Sequence, residues 1–285
     1  MNSQGSVNLS HCFLLAKRIS MIKTGILLKM QSQYADEIQY HLPIGDEVLY
    51  LNELIGKPLK LSFEKAIFCI KCGRKTSKSF NQGFCYPCFR DAPEAASWII
   101  FPEKSQAHLG IEDRDLEYEK AAQLQPHVVY LSLTSGLKIG ITRQMQVRTR
   151  WIDQGASQAI KVAETPNRYL AGMIEVNLKK HLNDRTNWRQ MLTDFHLDLD
   201  LKSEKEKTKL LIDDCYQEYI HTDDAITYIQ YPVVQYPGKL KSIGFDKVPE
   251  FEGRLTGVKG QYLLFETGEV LNIRKHAGYS VRLEV

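Results

Sequence analysis

The sequence predicts an α+β protein: a central α/β module, a metal knuckle ahead of it, and β-rich segments at both ends. Three observations predict this. Alternating or β-branched runs crowd residues 21–63 and return from residue 226 onward. Residues 127–192 instead read as a hairpin followed by helical patterns. Between the two, four of the six cysteines fall within residues 69–88.

Composition narrows the class. At 285 residues and 43% hydrophobic content, the chain suffices for two compact units, or one domain with insertions, around a real core. The net charge of +3 neither demands nor excludes nucleic acid, so any basic surface has to be local. No apolar run approaches a membrane span. Cys12-Phe13-Leu14-Leu15-Ala16 is too short for a signal-peptide core, so a soluble cytoplasmic protein is expected. Residues 1–20 fit neither strand nor helix and read as a disordered extension, with Met21 as an alternative start.

Segment by segment, 21–68 is β-rich, with strands at Gly25–Leu28, Ile38–Leu42 and Leu59–Phe63. The knuckle occupies 69–90. A polar linker, 91–126, holds a helix over Leu116–Leu124. The module, 127–200, opens with a hairpin turning at Thr134-Ser135-Gly136. A helix at 144–153 and a strand at Ala159–Ala163 follow. Thr165-Pro166 has the residues of a capped helix start, and that helix should run to about Leu182. Asn183–Asn187 interrupts it before a short helix at Trp188–Leu192. Residues 201–225 read as one helix, because Leu211, Cys215 and Tyr219 lie beside Ile212, Tyr216 and Ile220 in rows spaced by four.

The last segment, 226–285, holds candidate strands at Ile226–Val234, Glu252–Val258, Tyr262–Phe265, Val270–Arg274 and Ser280–Glu284. Leu51-Asn52, Gly56 and Leu59-Lys60-Leu61 recur as Leu271-Asn272, Gly278 and Val281-Arg282-Leu283, with a gap differing by two residues. The two ends are therefore expected to be related β units that pair with each other, with the module inserted between them.

Cys69-Ile70-Lys71-Cys72 and Cys85-Tyr86-Pro87-Cys88 are two C-x-x-C pairs separated by twelve residues. Each pair sets two thiolates on one tight turn, and two pairs supply the four ligands of a tetrahedral zinc site. A redox role needs one pair at a helix start, whereas here two share a loop-rich stretch. With four thiolates no coordination position stays open, so the Zn²⁺ is read as structural. Lys71, Arg74, Lys75 and Lys78 around it are either a solvated loop or phosphate contacts.

In the module, Tyr130 stands on the first hairpin strand and Lys138-Ile139-Gly140 on the second. Arg148 and Arg150 lie on the next helix, and Glu175 on the following one. This order resembles the GIY-YIG nuclease superfamily, in which a Tyr-bearing strand pairs with a Tyr-Ile-Gly-like strand. Arg148 lies eight residues after Gly140, similar to that family's arginine; Arg150-Trp151 is an alternative match shifted by two. Glu175 matches its helix-borne, metal-binding glutamate. A second resemblance spans nearly the whole chain. Lys138–Arg143, Arg150–Ala156, Asn167-Arg168-Tyr169, Glu175 and Asp184–Trp188, with the knuckle and the β-rich ends, look like a bacterial family of unknown function, which implies no activity.

The residues suit phosphodiester chemistry. Glu175 offers a hard oxygen to Mg²⁺ or Mn²⁺. Arg148 or Arg150 can grip phosphate oxygens. Tyr130 can accept a proton from water only beside a cation, because a phenol ordinarily ionises near pH ~10. Lys138 can supply that cation or be the base itself. It stands where the resemblance expects the second tyrosine, so the change either preserves base chemistry or marks its loss.

Structural roles account for the same residues. Tyr130 can be a packed aromatic, and Arg148 and Arg150 a solvated helix face. Leu170, Met173, Ile174 and Leu178 share one helix face, which leaves Glu175 exposed by pattern, although Ala171 and Gly172 give room for a neighbouring strand. His127 reads as a surface or capping histidine. Three functions stay open: a metal-dependent endonuclease acting on DNA or RNA, a zinc-containing nucleic-acid-binding protein that does not cut, and a protein-interaction factor.

Overall fold

The computed structural model describes residues 21–285; the extension expected over 1–20 lies outside the described residues. In chain order the strands are β1 (Ile22–Ile26), β2 (Gln31–Gln33), β3 (Gln39–Ile44), β4 (Glu47–Tyr50), β5 (Pro58–Phe68), β6 (Lys75–Thr76), β7 (His127–Leu133), β8 (Leu137–Arg143), β9 (Gln158–Thr165), β10 (Thr227–Tyr228), β11 (Lys241–Ile243), β12 (Glu250–Lys259), β13 (Tyr262–Phe265), β14 (Glu269–Asn272) and β15 (Tyr279–Glu284). The helices are α1 (Tyr86–Asp91), α2 (Leu116–Gln123), α3 (Val147–Asp153), α4 (Arg168–Leu178), α5 (Trp188–Met191) and α6 (Leu201–Lys209). The result is a mixed α+β fold with β-rich ends.

The two ends build one β assembly. Its large sheet runs β1-β15-β5-β12-β13-β14-β11, with β6 beside β5, while β2-β3-β4 form a smaller sheet. Strands from the two ends alternate over β1-β15-β5-β12 because β5 pairs with both β15 and β12. Leu61 and Leu283, both fully buried, face each other across the β5–β15 pair.

The register sharpens the repeat seen in the sequence. The offset that takes Leu61 to Leu283 also takes Gln39-Tyr40 to Gln261-Tyr262, Glu47-Val48-Leu49 to Glu269-Val270-Leu271, and Gly56 to Gly278, with no gap. Hydrogen bonds repeat as well. Gly56 N donates to Leu255 O (2.7 Å) and Leu255 N to Lys57 O (3.0 Å); Gly278 N donates to Leu27 O (2.8 Å) and Leu27 N to Tyr279 O (2.8 Å). Each copy's glycine turn thus locks onto the other copy's strand, and a pseudo-two-fold axis passes through the Leu61–Leu283 pair. The motif pairing of Leu51-Asn52 with Leu271-Asn272 is corrected to Leu49-Tyr50 with Leu271-Asn272, which removes the gap.

Between the copies lies the module. Its antiparallel sheet runs β10-β9-β7-β8. Strand β7 is buried along its whole length, which accounts for its unbroken apolar run. One face packs Val128 and Tyr130 with Trp151 and Ile152 of α3 into the core of the β assembly. The other packs Val129, Leu131 and Ile160 against Ala171, Ile174 and Leu178 of α4 and Leu201 of α6. Asp153, at the end of α3, bridges to both copies: it pairs with Lys29 and accepts from Gln261 Nε2 at 2.8 Å.

Several expected elements shift. Residues 201–225 are not one helix. Helix α6 stops at Lys209, and the Gln217 side chain donates to the carbonyls of Ile212 (2.7 Å) and Lys209 (3.4 Å), which turns the chain into a 3₁₀ segment at Asp214–Tyr219. Leu211, Ile212, Tyr216, Tyr219 and Ile220 still pack on the module's core, but from two segments, and Cys215 is exposed. Thr165 ends β9, and α4 starts after Asn167, whose side chain accepts from Leu170 N at 3.0 Å. The run Ile226–Val234 keeps strand structure only at Thr227–Tyr228, because only there does it reach β9. His127 is buried, not on the surface, because β8 and β9 flank it on both sides.

Candidate functional site

The knuckle grows directly from β5. Strand β6 folds back on Ile67–Phe68, so Cys69 and Cys72 sit on the turn between them. Cys69 N donates to Arg74 O (2.9 Å) and Gly73 N to Cys69 O (2.9 Å); Gly73 takes φ +70°, which favours glycine. Cys85 caps α1 and Cys88 lies within that helix. The four Sγ atoms lie within 4.8 Å of one another, with Cys72 and Cys85 3.8 Å apart. A tetrahedron with metal–sulfur bonds of about 2.3 Å has edges of about 3.8 Å, so the set fits zinc. Hydrogen bonds from the Arg74 amide and then its guanidinium hold the Cys72 thiol down at about 6, toward the ligating thiolate.

A second cluster forms at the edge of the module's sheet. Tyr130 is completely buried and lies opposite Gly140, where a Cβ would come within 2.7 Å of its hydroxyl. The hydroxyl meets the Gln154 carboxamide at 2.9 Å. With that amide turned over, its nitrogen donates to Tyr130 and its oxygen accepts from Arg150 Nε at 3.0 Å, which satisfies all three groups. Burial pushes the Tyr130 phenol up, against the pull of Arg150. Tyr130 therefore suits positioning Arg150 through Gln154, and the expected role as proton acceptor does not fit its burial.

Arg150 joins this cluster and Arg148 does not. Residues two apart on a helix point about 200° apart. Arg148 is exposed and stacks over the Tyr34 ring at 4.6 Å, tying α3 to the first β copy. Lys138 is 8% exposed, and burial, with Arg150 second, pushes its amine down to about 8.

Glu175 is 7% exposed, contrary to the helical pattern. On its Gly172 side α4 meets the 3₁₀ turn at Pro102–Lys104 and not a strand. A Cβ on Gly172 would stand 2.8 Å from the Pro102 carbonyl carbon, so only glycine admits the turn. Burial pushes the Glu175 carboxyl up, against Lys179. Lys179 Nζ lies 3.3 Å from Glu175 and 3.5 Å from Asp184, a cation held between two carboxylates.

Beside the cluster opens a cleft of about 1020 Å³, bounded by the module, the knuckle, the 91–126 linker and both β copies. Arg143, Arg150, Arg168, Arg274 and Lys29 line it, with Phe84, Trp98 and Tyr118. Its one lining carboxylate, Glu94, is paired with Lys71. Tyr130, Lys138 and Glu175 do not line it; Arg150 and Arg168 connect the cluster to it, since each also acts electrostatically on that cluster.

A family described as protein of unknown function (DUF2797) matches residues 56–281, most of the chain. The chain belongs to the DUF2797 family. The matched span takes in the knuckle, the module and the cleft's arginines. No curated protein and no solved structure matches the chain.

Sequence reasoning gave neither Arg168 nor Arg274 a site role, although Asn167-Arg168-Tyr169 is part of the whole-chain resemblance. Arg168 is the first residue of α4, where a cation opposes the helix dipole, so helix stability does not explain it. It donates to the carbonyls of Trp98 (3.2 Å) and Ile99 (2.8 Å), and burial lowers its pKa to about 10. Arg274 enters the cleft from the turn between β14 and β15, a contact that only the tertiary fold creates.

Proposed function

We propose that this DUF2797 protein is a metal-dependent phosphodiesterase acting on DNA or RNA, built on a GIY-YIG-like module. One observation carries the reading: Arg150 lies between the Tyr130–Lys138–Glu175 cluster and a cleft lined by arginines. The β8-β7-β9 order, the Tyr130–Gly140 pairing and a helix-borne Glu175 support the likeness.

In this reading Arg150 grips a phosphate oxygen, held in place through Gln154 by Tyr130. Glu175, with Asp184 beside it, offers hard oxygens to Mg²⁺ or Mn²⁺, which when bound would offset charge on the phosphate. No three-carboxylate or histidine cluster stands there among the described residues, so water and substrate oxygens would complete the coordination. Lys138, with its lowered pKa, takes the proton from the attacking water. The zinc site holds the knuckle against the cleft and takes no part in the chemistry. Cleavage assays on plasmid, branched DNA and RNA with Mg²⁺ or Mn²⁺ test the reading; Arg150→Ala and Glu175→Ala should abolish cutting.

A second reading, nucleic-acid binding without cleavage, is favoured by the burial of Glu175 and its ion pair with Lys179. It differs by predicting salt-sensitive binding with no cutting in any metal.

A further inference from the structure

The arginines of the cleft lack carboxylate partners, although Arg168 donates to the Trp98 and Ile99 carbonyls and Arg150 to Gln154. Arg143, Arg150, Arg168 and Arg274 are all partly buried, and none is ion-paired with a carboxylate among the described residues. The arginines that are so paired, Arg90, Arg185, Arg254 and Arg282, are not among the residues that line the cleft. Burial is the main cause that lowers the pKa of Arg168 and Arg274; Glu175 opposes it at Arg168 and Asp153 at Arg274, while Arg150 adds to it at both and Arg143 at Arg168. Gathering like charges out of water is costly unless an anion completes the site.

A second observation agrees. Trp98 lines the cleft, is 4% exposed, and its indole N–H has no acceptor. A buried donor without a partner costs roughly 1–3 kcal/mol, which a bound oxygen would relieve.

We propose that this cleft binds an unpaired, single-stranded stretch of nucleic acid, with Arg274 and Arg143 holding backbone phosphates on either side of Arg150 and Arg168, and the Trp98 indole donating to a strand oxygen. This rests on the proposed function and names its substrate class. Charge calls for a polyanion. Phe84 and Trp98 are buried in the wall, but the half-buried Tyr118 ring offers a face to a free base, which a duplex, with its bases stacked within, does not present. The cleft also explains why the β copies flank the module: Lys29 comes from one copy and Arg274 from the other, so the strand would be held by the β assembly as well as by the module.

Fluorescence anisotropy tests it, using end-labelled oligo(dT), oligo(U) and a length-matched duplex with the zinc-loaded full chain and no added Mg²⁺ or Mn²⁺. The single strands should bind more tightly than the duplex. Arg274→Gln and Arg143→Gln should each weaken strand binding about tenfold and flatten its salt dependence by about one phosphate contact. Arg148→Gln, outside the cleft, should leave it unchanged, and Trp98→Phe should weaken it without altering the salt slope. Circular dichroism confirms that each variant folds, and Arg143→Gln keeps the test valid if Arg274→Gln does not fold. Duplex binding equal to or tighter than strand binding overturns the proposal, as does wild-type affinity in both cleft-arginine variants. If strands bind but nothing is cut in any metal, the phosphodiesterase reading fails alone. If substrate is cut without measurable strand binding, this inference fails alone.

Discussion

Gly140 lies directly across the hairpin from Tyr130, and a Cβ there would stand 2.7 Å from the tyrosine hydroxyl. The glycine leaves room for a fully buried ring whose hydroxyl reaches Gln154, and Gln154 in turn reaches Arg150. Gly140→Ala should therefore cost about 1–3 kcal/mol in urea unfolding, because Tyr130 has nowhere to move in a packed core. Tyr130→Phe in the same background should recover part of that loss. A Gly140→Ala protein as stable as wild type would show that the ring is not held there.

The zinc prediction rests on sulfur geometry. Metal analysis of protein purified without chelator should find one zinc per chain. Cys85→Ser should lose it and lower the Tm; a loss of about 3 kcal/mol would move the midpoint by roughly 6–12 °C in a protein of this size class. Zinc-free protein with an unchanged Tm would remove the structural role.

His127 makes stability depend on acid. It is fully buried, its Nδ1 pairs with Gln125 O at 2.7 Å, and burial lowers its pKa from 6.5 to about 4. Between those values the unfolded chain binds a proton that the folded chain refuses. Stability contributed by the neutral ring is therefore whole above pH 6.5 and falls as pH drops toward about 4. The shift corresponds to a loss on the order of 3 kcal/mol. His127→Gln should show a shallower fall in Tm over that range; parallel curves for the two proteins would contradict it.

In the proposed reaction Lys138 should set the pH dependence of cleavage. A lysine lowered to about 8 accepts a proton only when neutral, so kcat/KM should rise with pH and level off above about 8. Lys138→Arg, which stays charged there, should lose that limb together with most of the activity. A profile that is flat through pH 8 would remove Lys138 as the base.

What the sequence made legible was local. The knuckle was readable because its ligands come from two short turns. The hairpin was readable because Ser135-Gly136 separates two β-rich runs. The repeat was visible only in part: Leu59-Lys60-Leu61 against Val281-Arg282-Leu283 stood out, but the alignment needed the register of β5 on β15. Helix pattern misplaced Glu175, because a helical wheel does not show the groups that the fold brings to it, Lys138 and Asp184 among them. It likewise left Arg148 and Arg150 equivalent, whereas Tyr34 draws Arg148 aside. The cleft roles of Arg168 and Arg274 stayed hidden because a cleft formed by several separated segments has no sequence period.

The most direct test of the whole account is metal-dependent cleavage by wild type against Arg148→Ala, Arg150→Ala and Glu175→Ala. The account predicts cutting with Mg²⁺ or Mn²⁺ by wild type and Arg148→Ala, and a loss of about a hundredfold or more in the other two. Intact DNA and RNA in every metal, or a Glu175→Ala protein that cuts as well as wild type, would contradict it.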